Sequence, residues 1–125
     1  MTLSGTMLRQ RDIVLIPIPF TDLVSQKKRP AVIISSDTYN ESNEDIVVVA
    51  LTSNIEPREF SVTLTNDNLE DGTLKVTSMI RVDKIYTLNK SIVIKIFGRI
   101  KPDIFTKIKD SLSKLTEVHA EPQNL

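Results

Sequence analysis

Apolar residues in this chain fall in short, β-branched clusters along most of its length and shift to a helical period only near the end. The run Asp-Ile-Val-Leu-Ile-Pro-Ile-Pro-Phe at 12–20 predicts a strand over 12–16, with its prolines confined to a strand edge or end. Residues 21–29 are polar and without period, which predicts an exposed loop of the kind that carries function. Pro30 opens the next run. The nearly continuous apolar segments 31–35 and 46–52 read as buried central strands. Residues 60–64 alternate as a half-buried strand does, 66–72 supply polar turn residues, and 78–82 and 92–97 complete a set of six short strands. From Pro102 onward Ile104, Phe105, Ile108, Leu112 and Leu115 recur at helical spacing, so one amphipathic helix closes the domain. Successive strands followed by a terminal helix predict a mainly β fold, a small antiparallel barrel with helical cover. One domain over 8–116 is expected, with flexible termini at 1–7 and 117–125.

Composition narrows the chemistry. With no cysteine, a disulfide framework, a thiol nucleophile and a Cys-based zinc site are all excluded. Three glycines cannot build a P-loop or a dinucleotide fingerprint, so neither a nucleotide cofactor nor NTP-driven chemistry is expected. The single histidine, His119, falls in the expected tail and reads as a surface bystander, and zinc lacks nitrogen and sulfur ligands. No signal-peptide pattern opens the chain and no stretch is long enough to span a bilayer, so a cytoplasmic location is expected. Sixteen basic and sixteen acidic residues cancel, which rules out nucleic-acid binding through bulk charge and leaves local clusters. One is Lys27-Lys28-Arg29; another runs through Arg81, Lys84, Lys90, Lys95, Arg99 and Lys101.

Three strand ends carry the remaining reactive groups: Lys-Lys-Arg-Pro at 27–30, Leu-Thr-Ser-Asn at 51–54 and Arg-Val-Asp at 81–83. Each also has an ordinary reading: a surface ion pair for Arg29, a turn cap for Thr52, a cross-strand pair for Arg81 and Asp83. Their order and surroundings favour more. The blocks Arg-Asp-Ile-Val-Leu-Ile-Pro-Ile-Pro-Phe-Thr-Asp-Leu, Lys-Lys-Arg-Pro-Ala-Val-Ile-Ile-Ser, Val-Val-Val-Ala-Leu-Thr-Ser and Ser-Met-Ile-Arg-Val-Asp-Lys-Ile-Tyr-Thr-Leu-Asn-Lys succeed one another. Over residues 8–115 the chain thereby resembles the MazF/PemK (Kid-like) family of growth-inhibiting toxins. A Gly-Asp opening strand is usual there, and here Arg11 stands where the glycine would be.

That resemblance implies an SH3-like barrel of the MazF/Kid/CcdB type, a homodimer with RNA lying across it, and a metal-independent, sequence-specific endoribonuclease. It implies a catalytic pair of Arg29 and Thr52, with acid-base roles assigned in some members to the block that here holds Arg81 and Asp83. A cognate antitoxin whose disordered tail folds into the RNA groove is implied too, and contact with DNA only through the toxin–antitoxin complex.

The chemistry suits those residues. RNA carries its own nucleophile in the 2′-hydroxyl, so an enzyme needs no metal if it aligns that oxygen, accepts its proton and stabilises the negative phosphorane. Arg29 would grip non-bridging oxygens bidentately, Thr52 and Ser53 would offer hydroxyls and backbone donors, and Asp83 would take a proton if burial raised its pKa. Arg81 would assist the leaving oxygen or hold Asp83. For RNA binding the candidates are Lys27, Lys28, Ser53, Asn54 and Phe20, with sequence preference read by 21–28 and 54–60 and stacking by Phe20, Phe60 or Tyr86. Two rivals stand against this reading: a non-catalytic module such as a CcdB-like topoisomerase poison, and an SH3-like protein adaptor. The adaptor's aromatic groove is poorly served by a chain with no Trp and two Tyr.

Overall fold

Strands β1 (Asp12–Pro19) and β2 (Gln26–Ile33) pair antiparallel from Ile13 opposite Val32 to Pro19 opposite Gln26 in the computed structural model, which describes residues 7–19 and 26–119. A short helix α1 (Asp37–Ser42) leads into β3 (Asp45–Thr52), and β4 (Ser61–Leu64), β5 (Leu69–Gly72), β6 (Ser78–Asn89), β7 (Lys95–Ile100) and the helix α2 (Pro102–Leu115) follow. The seven strands form one antiparallel, curled half-barrel sheet in the order β4-β6-β3-β2-β1-β7-β5.

Both faces of the sheet's centre are apolar, which is why β2 and β3 read as unbroken hydrophobic runs. One face sends Ile13, Val32, Val49, Leu51, Ile80 and Val82 into a cluster with Ile104 and Ile108 of α2. Pro102 sits in the first turn of that helix, where its missing N–H goes unneeded, and Phe105 and Leu112 pack at the cluster's margin. The other face holds Val14, Ile16, Ala31, Ile33, Ile46 and Val48, with Leu8 and Val93 laid over it. Each such side chain, fully buried, contributes about 1.5–3 kcal/mol. No helix among the described residues is long and apolar enough to cross a membrane.

The structure revises several element boundaries. Seven strands replace six, because β5 lies within 66–72, read as a turn: Glu70, Asp71 and Gly72 are exposed and show no alternation, and the strand is defined by its pairing with β7. Residues 26–29, assigned to a loop, belong to β2, and β1 runs on to Pro19, because the hairpin continues past the core. Phe60 takes a left-handed φ of 58° ahead of β4. Lys90–Ile92 forms a single 3-10 turn instead of opening a strand, so β7 starts at Lys95. Helix α1 falls between the two central apolar runs, where no element was expected; Ser36 caps it by accepting from the Tyr39 N–H at 3.1 Å. Of the two termini, residues 1–6 and 120–125 lie outside those described.

Arg11 explains what the missing glycine does. Its φ is 79°, the left-handed region that costs a side-chain-bearing residue about 1–2 kcal/mol. The bend lets its N–H donate to Ile33 O at 2.9 Å while its carbonyl accepts from the Ile100 N–H at 3.0 Å, joining β2 and β7 across the start of β1. Its guanidinium folds back to donate to Ile100 O at 2.7 Å and to pair with Glu70 at 3.2 Å. Arg99 links the same Glu70 (3.2 Å) to the buried Asp12 (3.5 Å). Burial pushes the Asp12 carboxyl above its ordinary pKa, against the lowering effect of the Arg9 N–H and of the Arg9 and Arg99 charges.

Candidate active site

The register of β2 on β3 sets Ala31 opposite Ala50 and Val32 opposite Val49. That pairing ends at Ala31 and Ala50, and Arg29 and Thr52 lie two residues beyond it at the same end of the two strands. Arg29 and Thr52 line one cavity of about 470 Å³ at the end of these strands.

The charge of that cavity is one-sided. Its charged lining residues among those described are Lys27, Lys28, Arg29, Lys75 and Lys95, five cations and no acid, in a chain whose net charge is zero. Its walls are otherwise apolar, from Leu15, Pro30, Leu51, Leu74, Val76 and Phe97, with Thr52, Ser53, Thr73 and Ser78 supplying hydroxyls. Thr52 ends β3, and its Oγ1 accepts from the Asn54 N–H at 3.1 Å, while Asn54 Oδ1 accepts from the Glu56 N–H at 3.2 Å. These two turns fix the direction of the Thr52 hydroxyl.

Arg81 and Asp83 do not line this cavity. Arg81 stands on β6 across from Ala50 on one side and Ser61 on the other, and Asp83 follows where β6 breaks register with β3. They meet along one strand and not across two, as a fork with Nε to Oδ1 and Nη2 to Oδ2 both at 3.0 Å. The Arg81 hydrogen bonds hold the Asp83 carboxyl below its usual pKa, outweighing desolvation. The condition set for Asp83 as a base, a pKa raised by burial, is therefore not met: it is an ionised partner, and it raises the pKa of Arg81. With the folded pKa depressed, the pair's stability is present above the ordinary carboxylate range near about 4 and is lost only as pH falls through the lower value. Carboxyl NMR of Asp83 should accordingly show no titration between about pH 5 and 8; a midpoint inside that window would restore it as a base.

The other named residues divide. Lys27, Lys28 and Ser53 belong to the cavity; Asn54 is exposed in the following turn and does not line it; Phe20 lies outside the described residues. Phe60 borders a separate cavity between β4 and α2, and Tyr86 packs against the second apolar cluster. Sequence reasoning missed Lys75, Val76 and Phe97 as parts of the site; only Lys95 carried a signal, as one member of a basic stretch. No group of three or more His, Cys, Asp or Glu that would hold a metal forms among the described residues.

Residues 9–116 match the family model described as PemK-like, MazF-like toxin of type II toxin–antitoxin system. An endoribonuclease from a mycobacterial species superposes with a TM-score of 0.72 at 19% identity, covering 93% of this chain and 97% of that one. The MazE-MazF structure (Form-III) from Deinococcus radiodurans gives 0.73 at 16% identity over 91% of this chain and 100% of the other. The Mycobacterium tuberculosis toxin MazF-mt6 gives 0.71 at 14% identity, covering 88% and 100%. No curated protein matches the sequence.

Proposed function

Since the chain belongs to the PemK-like, MazF-like toxin family of type II toxin–antitoxin systems, we propose that it is a metal-independent endoribonuclease cutting single-stranded RNA. The observation that carries this reading is the meeting of Arg29 and Thr52 in one cavity whose charged lining, among the described residues, is wholly cationic. A binding-only toxin has no need of such a pair.

Arg29 holds two non-bridging oxygens of the scissile phosphate in its planar fork and stabilises the charge that builds as the phosphorane forms. Thr52, its hydroxyl aimed by the turn, hydrogen-bonds the 2′-oxygen and aligns it for attack. The 2′-oxygen gives up its proton to water as it bonds to phosphorus, and the bond from phosphorus to the 5′-oxygen breaks as that oxygen takes a proton from water. The products are a 2′,3′-cyclic phosphate and a 5′-hydroxyl end. Arg81 and Asp83 rank below this pair, because a carboxylate held below its usual pKa by the Arg81 fork is a weak base.

The protein works as a homodimer in the cytoplasm, cutting mRNA and so arresting translation and growth, and is restrained by a cognate antitoxin. The MazE-MazF complexes of Deinococcus radiodurans support the antitoxin. Incubation with RNA in EDTA, followed by sequencing and end analysis of the fragments, tests the chemistry. Cyclic-phosphate and 5′-hydroxyl ends are expected, with DNA of the same sequence bound but uncut. An obligatory metal, or 5′-phosphate ends, would overturn it.

A further inference from the structure

The two edges of the sheet are unlike. β5 ends it on one side with the exposed acids Glu70 and Asp71, charges of the kind that blunt an edge against added strands. β4 ends it on the other as Ser-Val-Thr-Leu, with no charge and no proline. The Val82 N–H donates to Phe60 O at 2.9 Å, ahead of the pairs Ser61–Arg81, Val62–Ile80 and Thr63–Met79. That bond fixes the phase of the strand. A trans peptide then turns the Ser61 N–H away from β6, so the N–H and C=O groups of Ser61 and Thr63 point outward while those of Val62 pair inward. Among the described residues no strand pairs with β4 on its outer side.

Along this edge runs the cavity of about 800 Å³ between β4 and α2, walled by Ser61, Val62 and Thr63 on one side and by Lys107, Asp110 and Lys114 on the other. Four strand residues span about 13 Å, and Lys107 to Lys114 rises about 10.5 Å along the helix, so the two walls run to similar lengths. Glu59 and Glu117 also line the cavity, which makes two cations against three acids and selects no nucleic acid. None of Lys107, Asp110 and Lys114 forms an ion pair with a described residue.

The geometry points to β4 as a docking edge for an extended peptide segment of a partner protein, added antiparallel beyond β4 and flanked by α2. Ser61 and Thr63 supply four main-chain hydrogen bonds to it, which gives affinity without reading sequence. Selection comes from α2. Alternate side chains of the added strand lie on the face that Val62 shares with Ile104 and Ile108, and there they meet the row Lys107, Asp110, Lys114. The segment that fits therefore carries acid, base and acid at alternate positions. This cavity shares no lining residue with that of Arg29 and Thr52, so the inference stands apart from the reading of that site as a nuclease.

The probe is the end-blocked peptide Thr-Glu-Val-Lys-Val-Glu-Thr, whose charges complement the row and whose valines and threonines favour extension. At about 1 mM it should slow NMR-detected amide exchange at Ser61 and Thr63 in the full chain. Antiparallel pairing sets its two valines opposite those residues, so N-methylating both valines should abolish the protection. N-methylating the central lysine, whose N–H faces away, should preserve it. Lys107→Gln with Lys114→Gln, both exposed positions, should weaken binding of a labelled probe about twofold to thirtyfold, the range for two exposed ion pairs. Unprotected Ser61 and Thr63 amides, equal binding of the valine-methylated probe, or equal binding by the double glutamine variant overturns the proposal. Protection that arises without peptide and grows with protein concentration overturns it as well, by giving the edge to a second copy of the chain.

Discussion

Replacing Arg29 with alanine should lower the rate of RNA cleavage on the order of a thousandfold while leaving the thermal melt within about 1 kcal/mol of the parent. Arg29 lines the cavity from a strand paired with β1 and is not among the buried core residues, so the substitution removes a charge from the site and leaves the core side chains in place. Arg29→Lys should recover only a small part of the loss, because an ammonium supplies a point charge and not a fork matched to two phosphate oxygens. Thr52 needs a finer comparison, since its hydroxyl also accepts from the Asn54 N–H. Thr52→Ala deletes both functions and should cost about a hundredfold in rate with a small loss of stability. Thr52→Ser retains the acceptor and the turn and should restore most of the rate. Single-turnover cleavage of a labelled RNA, read beside circular dichroism melts, checks the series. Full activity in both alanine variants would remove the pair from the mechanism.

Gly72→Ala should be the most damaging single-methyl change in the protein. Gly72 has φ 87°, and a Cβ there would stand 2.3 Å from the carbonyl oxygen of Phe97 and 2.6 Å from the Cα of Gly98. Both obstacles are backbone and cannot rotate away. Left-handed strain of about 1–2 kcal/mol and overpacking of about 1–3 kcal/mol combine to roughly 3 kcal/mol. The pairing of Gly72 with Gly98 must open to relieve them. As β5 leaves β7, the segment carrying Lys75 and Val76 moves with it, so cleavage should fall along with stability. Urea denaturation gives the cost, and faster amide exchange confined first to β5 and β7 identifies the route. A melt unchanged from the parent would show that the two strands separate more freely than their spacing implies.

Much of this was legible in the chain. The runs at 31–35 and 46–52 announced buried strands because a sheet covered on both faces needs no polar alternation, and the helix declared itself through Ile104, Ile108 and Leu112. Arg29 and Thr52 were visible as strand-end residues within family-like blocks. Their meeting in one cavity was not, since register belongs to the pairing and not to either strand. β5 escaped because Glu70 and Asp71 face solvent on an edge. Lys75 and Phe97 escaped because they come from separate elements that the curl of the sheet brings together. The ionisation of Asp83 turned on a fork that spacing permits but does not require.

The two strands that bring Arg29 and Thr52 to one cavity are joined through α1, at their other ends. That connection is itself anchored, by the buried Asn40 donating to Ser35 O and accepting from Lys90, so its own packing limits its length. One residue gained within either ladder would rotate every side chain beyond it to the opposite face. The candidate site thus depends on parity: an odd change of length along the paired segments would turn its side chains away from one another.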